Sequence, residues 1–209
     1  MPDRLRVRVF VDFWNFQLSL RHIEPEPRVD WSKLGRILAG AARDLADPDR
    51  LVSFEGLHVY GSYDPSKPAD QKLRNWFTNT LDRMAGVQVS LQERQRKRGF
   101  PRCPVCQHEV QACPSCRSDM RGTEEKGVDT RLATDMIRLA WTDSYDCAVL
   151  VSSDRDFVPV AEFLQSRNIK VIHGAFPPQG SALSQTCWGN LSLPRLRQDF
   201  LRPAPTASP

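Results

Sequence analysis

The sequence has no long hydrophobic run. Its longest apolar stretches are strand length, far short of the ~20 consecutive residues that cross a bilayer as a helix, so membrane-spanning helices are excluded. A secretory signal is missing too: Arg4, Arg6 and Arg8 interrupt what would be its apolar segment, and Asp12 ends it. There is no strong excess of charge of one sign. Lys and Arg number 29 against 25 acids, and the formal net charge of +4 permits a nucleic-acid partner without demanding one. Histidine is sparse. His22, His58, His108 and His173 are scattered, and no Ser-His-Asp or Cys-His set stands out. Internal repeats are absent. These absences lead us to expect a cytoplasmic protein with no membrane partner, and 209 residues suit one domain with an insertion.

What is present is an alternation of apolar runs and amphipathic stretches. Leu5 to Asp12 reads as a strand, and Trp31 to Leu45 as a helix with Leu34, Ile37, Leu38 and Ala41 at helical spacing. A second strand covers Leu57 to Tyr60, or begins as early as Leu51. A helix over Asp70 to Met84 stops at Gly86, before a third strand from Val87 to Leu91. After an aperiodic stretch, Asp129 to Trp141 is a helix, Cys147 to Ser152 a strand and Phe157 to Arg167 a helix. Lys170 to Ala175 is a fifth strand and Ser181 to Cys187 a short helix. Continuous apolar runs mark strands buried on both faces, and the alternation implies an α/β fold with a parallel sheet between helices. Residues 1–200 are read as one domain, 99–121 as an inserted loop, and 202–209, rich in Pro, Ala and Ser, as a disordered tail.

Two distant segments end in carboxylates at the tips of apolar strands. One is Val9-Phe10-Val11-Asp12. The other is Val149-Leu150-Val151-Ser152-Ser153-Asp154-Arg155-Asp156. Open parallel sheets bind ligands just beyond the carboxyl ends of their strands, so adjacent strands would bring Asp12, Asp154 and Asp156 into one crevice. Clustered carboxylates repel one another, and a divalent cation is the direct counter-charge. Asp129 follows Gly127 at a helix start, where it can cap the helix or turn outward to a metal. Asp135 lies about 120° from Asp129 around an ideal helix and is kept as a group supporting the ligands. Asn15 follows Asp12 by one turn, and its amide suits a water, a carboxylate or a phosphate. Any one of these aspartates alone suits a turn or a cap; three segments at one sheet edge favour a site. Hard oxygen ligands select Mg²⁺ or Mn²⁺, the ions of phosphodiester hydrolysis.

Four of the six cysteines form two CxxC pairs, Cys103/Cys106 and Cys113/Cys116. In a reducing compartment two such pairs favour a tetrahedral Zn²⁺ over disulfides, and four thiolates leave no position for substrate, so the role is structural. Cys147 and Cys187 read as core residues. Arg94, Arg96, Lys97, Arg98 and Arg102 precede or open this loop. A charge run is commonly a solvated face, but beside a rigid metal loop it suits phosphate contacts, with Phe100 as a stacking face for a single-stranded base.

Together these segments resemble the NYN family of PIN-like nucleases, in its LabA-like branch. The resemblance rests on Val9 to Asp12 with Asn15, on Lys126-Gly127-Val128-Asp129 with Leu132 and Asp135, and on Val149 to Val158 followed by Pro159. It covers most of residues 5 to 200, with the cysteine segment as an insertion. It implies a PIN-like Rossmannoid three-layer sandwich with a mainly parallel sheet, metal-dependent RNA cleavage, and acidic ligands at Asp12, Asp129, Asp154 and Asp156 with Asn15 as polar partner. Phe13 and Ser153 stand where the family often has glycine. The leading expectation is an endoribonuclease that uses Mg²⁺ or Mn²⁺ and carries structural zinc. Its rival is an inactive RNA- or protein-binding module on the same fold. A phosphatase or receiver-like domain is a third reading, and Lys170 at the start of a strand counts against the receiver.

Overall fold

β1 (Arg4–Asp12) runs through the middle of a six-stranded parallel sheet in a computed structural model that describes residues 4–203. Its neighbours are β2 (Leu51–Tyr63) and β6 (Cys147–Val151). β3 (Val87–Glu93) lies outside β2. β7 (Lys170–Ala175) and β8 (Gly189–Ser192) follow β6, giving the order β3-β2-β1-β6-β7-β8. The sheet therefore grows outward in both directions from β1 and β6. That reversal is the topological switch point, where α/β sheets open a crevice at the strands' carboxyl ends.

Alternation along β1 divides the core in two. Val7, Val9 and Val11 join a cluster with Phe13, Phe16 and Leu20 of α1 (Phe13–Ile23) and Leu34 and Leu38 of α2 (Trp31–Ala46). Phe77 and Leu81 enter this cluster from a π-helical turn that continues α3 (Pro68–Trp76). Phe10 points the other way, into a second cluster with Tyr60 of β2, Leu150 of β6 and Leu132 and Met136 of α4 (Val128–Trp141). Leu164 of α5 (Val158–Ser166) and Leu183 of α6 (Ser181–Thr186) complete that layer. Helices on both faces of a parallel sheet make the three-layer α/β sandwich expected above. Among the described residues no helix is long and apolar enough to cross a membrane.

Several elements differ from the sequence reading. β2 is 13 residues long and carries a bulge: Val7 pairs with Phe54 and Arg8 with Gly56, which has φ 135°. Glycine permits that conformation, and the bulge lets a long strand stay in register. The helix expected to run to Met84 is α-helical only to Trp76, and its π turn ends at Leu81. β8 and α7 (Leu193–Phe200) were not foreseen; Leu193 and Phe200 bury fully, and Phe200 packs near Phe16. Arg202, expected in a tail, donates its N–H to Arg28 O at 2.8 Å. Residues 204–209 of that expected tail lie outside the described residues.

The segment between β3 and α4 has its own small architecture. Two short strands, β4 (Gln95–Arg96) and β5 (Thr123–Glu124), pair antiparallel at its root. Beyond them two tight hairpins follow in sequence, bridged at Arg102–Glu109 and Ala112–Asp119.

Candidate metal centre

The same alternation that builds the second cluster supplies a polar row above it. Two residues beyond Tyr60, Phe10 and Leu150 stand Ser62, Asp12 and Ser152, on the same face of β2, β1 and the end of β6. All three are buried. Asp12 ends β1 and caps α1, its Oδ1 accepting from Asn15 N at 3.2 Å. Its Oδ2 accepts from Ser152 Oγ at 3.2 Å. Asn15 Oδ1 accepts from Ser153 N at 2.9 Å, tying the start of α1 to the loop after β6. In that loop Asp154 N donates to Ser152 Oγ, and Asp156 N donates to Asp154 Oδ1.

Asp12, Asn15, Asp129 and Asp154 line one cleft of about 310 Å³ at the switch point. Asp129 reaches it from the first turn of α4, launched by Gly127 at φ 81°. Glu125 lines it as well; nothing in our sequence reading singled this residue out. It closes the cysteine segment, four positions before Asp129, and its place directly before the Lys-Gly-Val-Asp turn is the signal that could have marked it. His22 sits at the rim, with Nδ1 2.6 Å from Leu18 O. Because a carbonyl only accepts, Nδ1 carries the hydrogen.

No Lys or Arg lines this cleft among the described residues. Burial pushes the Asp12 carboxyl up to about 6, with the charges of Asp129 and Glu125 adding to the effect against the hydrogen bonds from Asn15 and Ser152. Asp129 is raised by burial and then by Asp154, Glu125 and Asp156. The carboxylates thus sit in each other's field. Among the described residues no three His, Cys, Asp or Glu side chains are gathered closely enough to hold an ion between them.

Two expected acids lie elsewhere. Asp156 is exposed and lines an adjoining cleft with Arg155, Pro159 and Gln185, although its field reaches Asp129. Asp135 faces inward: Tyr60 Oη donates to it at 3.2 Å, Arg131 Nε at 2.9 Å and Arg138 Nε at 3.2 Å. It is a buried hub beneath the sheet and not a support for the cleft.

The cysteines form two knuckles, one per hairpin. Cys103 N donates to His108 O and Cys113 N to Ser118 O, with Gln107 and Arg117 at positive φ closing each turn. Backbone N–H groups of Cys106 and Val105 lower the Cys103 thiol, and Ser118 draws the Cys116 thiol down to about 7. The thiols associate pairwise, Cys103 with Cys106 and Cys113 with Cys116; the four are not gathered together. Cys147 and Cys187 are buried in the core, and burial pushes both up to about 12.

Of the five basic residues, three are paired within the fold. Arg96 meets Asp119 at 2.7 Å and Arg102 meets Glu109 at 2.6 Å. Arg94 turns inward, 3.7 Å from Glu125. Lys97 and Arg98 are exposed and make no ion pair among the described residues. The guanidinium of Arg121 covers Phe100, 4.9 Å from the ring centre. Trp14, at the cleft wall, is anchored by Nε1 donating to Ser62 O at 2.8 Å. Lys170 donates to Ala46 O, where β7 begins and away from the carboxylates.

A solved structure from Vibrio parahaemolyticus RIMD 2210633, described as a protein of unknown function, shares the fold with a TM-score of 0.54. The alignment is 18% identical and covers 95% of this chain and 96% of that one. No curated protein matches the chain. The family model described as NYN domain matches residues 6–188, and with it the sheet order, the switch-point cleft and its carboxylates find one frame: the chain belongs to the NYN domain family, with a PIN-like nuclease-type fold.

Proposed function

We propose that this chain is a ribonuclease dependent on Mg²⁺ or Mn²⁺, cutting single-stranded RNA at the switch-point cleft. The observation that carries this reading is the meeting of Asp12, Asp129 and Asp154 in one cleft with no lining Lys or Arg. NYN domains generally bind RNA and are generally nucleases, which supports the substrate class. The residues fit a hard divalent cation. The acidic donors are all carboxylate oxygens, and no Lys or Arg lining the cleft offsets their mutual repulsion. Because no three side chains converge tightly without an ion, the fit is to a cation that keeps several waters and is reached by some of these carboxylates through them, as Mg²⁺ allows.

When bound, such a cation neutralises phosphate charge and makes a coordinated water acidic. Asp12, Asp129 and Asp154 would hold it. Asp12 is fixed from two sides, by Asn15 N and Ser152 Oγ, so it is preorganised. Asn15 commits its carbonyl to Ser153 and leaves its NH₂ to orient a water or a phosphate oxygen. Asp156 acts from outside the cleft, its N–H fixing Asp154 Oδ1. The knuckle cysteines Cys103, Cys106, Cys113 and Cys116 would take a structural Zn²⁺, with the two hairpins drawing together around it. The basic residues beside them, Lys97 and Arg98 foremost, would grip the RNA backbone.

Single-stranded RNA incubated with Mn²⁺ and purified protein, beside Asp154→Asn, tests the reading. We expect cleavage by the wild type and at least a ~100-fold loss in the variant. Equal cleavage by both would identify a contaminant and remove the assignment. A second reading, RNA binding without turnover, is favoured by the loose spacing of the carboxylates. Tight RNA binding with no metal-dependent cleavage would select it.

A further inference from the structure

We propose that Glu125 is a further oxygen ligand of the cleft's divalent cation, so that the cysteine insertion supplies part of the metal centre. The inference rests on the metal-dependent reading above. Glu125 belongs to the return leg of the insertion, directly after β5, and lines the cleft with Asp12, Asp129 and Asp154. Its carboxylate is held at one oxygen only. Oε2 accepts from Ser62 Oγ, and Arg94 Nη1 lies 3.7 Å away. Oε1 makes no hydrogen bond among the described residues.

The clamp is built from both legs of the insertion. Arg94 leaves β3, its N–H donating to Tyr63 O at 2.8 Å and its guanidinium to Ser62 Oγ at 3.3 Å. Ser62 is itself fixed through its carbonyl by Trp14 Nε1. Ser62 lies on the sheet face shared with Asp12, so a carboxylate clamped to it is delivered to the row of Asp12 and Ser152. A Glu serving only to fasten the insertion's root would gain nothing from facing other acids. This one shares a cleft with Asp12, Asp129 and Asp154 that no Lys or Arg lines, while a single partly exposed Arg offsets it. A cation shared among these carboxylates removes that cost.

The test is Mn²⁺ affinity of the full chain, read by the loss of free-ion paramagnetic resonance signal, for wild type, Glu125→Gln and Asp154→Asn. Gln preserves shape and can still accept from Ser62, so a merely structural Glu125 predicts unchanged affinity. A ligand predicts weakening by roughly tenfold or more. Wild-type affinity in Glu125→Gln would overturn the proposal. No Mn²⁺ binding by the wild type, or equal binding by Asp154→Asn, would instead sink the metal-centre reading. Should Glu125→Gln fail to fold, Glu125→Asp decides: it can keep the charge near Arg94 but withdraws the free oxygen by one methylene. It is expected to weaken Mn²⁺ binding several-fold, and unchanged affinity would again overturn the proposal.

Discussion

Asp12 shows how much one side chain here bears at once. It ends a strand, caps a helix and sits buried among like charges. Its folded pKa of about 6 lies above the ordinary value of 3.8, so the folded chain holds this proton more tightly than the unfolded chain. Ionisation therefore costs stability. The cost is absent below the ordinary value, grows as pH rises through the interval and is complete above about 6. Two pK units correspond to about 3 kcal/mol. Asp12→Asn is expected to raise the melting temperature of metal-free protein at neutral pH by about 5 °C, and to abolish the upward shift that Mn²⁺ gives the wild type. Differential scanning calorimetry with and without Mn²⁺ reads both. Asp135 predicts the reverse. Burial would raise it, but hydrogen bonds from Arg131 and Arg138 outweigh that and hold it below the usual carboxylate range. Asp135→Ala strands the buried Tyr60 hydroxyl and releases two half-exposed arginines to water, and should cost about 1–3 kcal/mol in urea unfolding while leaving Mn²⁺ affinity unchanged. The difference between these two aspartates was only half legible in the sequence. Asp12 and Asp154 end apolar strands, a pattern that reads directly. Two partners of Asp135, Arg131 and Arg138, lie on its own helix, but the tyrosine that marks it as inward comes from β2, and helical spacing alone cannot tell an inward acid with a tyrosine partner from a supporting one.

At the scale of elements, the strongest periodic signals were the most legible. β1, α2, α4, β6 and β7 came out within a residue or two of their observed ends, because each carries a short apolar run, strand alternation or a clear helical stripe. β8 and α7 escaped for physical reasons. β8 is four residues long and buries only Leu191, and it is admitted because Gly189 leaves room for Leu45. α7 is short and carries two arginines among its eight residues, so only its ends mark the core. The insertion was legible as two knuckles but not as a root that reaches the carboxylates. Its pieces give separate predictions. Cys106→Ser or Cys116→Ser should abolish zinc retention in elemental analysis, with Mn²⁺ affinity kept, since β4 and β5 fix the root independently. Lys97→Ala with Arg98→Ala should reduce the salt slope of RNA binding by about 1.4, while Arg102→Ala, paired with Glu109, should barely change it. Fluorescence anisotropy across a salt series separates the two outcomes.

For the whole molecule, the decisive feature is the outward growth of the sheet from β1 and β6. One face of this sheet is closed by α1, α2 and α7, the other by α4, α5 and α6, so the edge where strands end is the open side. Segments more than a hundred residues apart meet there because β1 and β6 are partners, a fact no local pattern contains. The sequence supports this adjacency only as a condition, and it is the pairing itself that turns scattered aspartates into one cleft. RNA offered beside a small phosphoester should be the preferred substrate, since a cleft open along one side accommodates a chain; comparable turnover of both would point to a phosphatase instead.

The cap on α1 has one more consequence. The carboxylate at the mouth and the apolar stripe of Phe16 and Leu20 deep in the first core belong to the same rigid rod. A cavity opened at Phe16 would let that rod tilt, and the tilt would arrive at Asp12 as a misplaced oxygen. Loss of function in this protein can therefore originate in its hydrocarbon interior, far from any charge, and would look to an enzymologist like a defect in ion affinity.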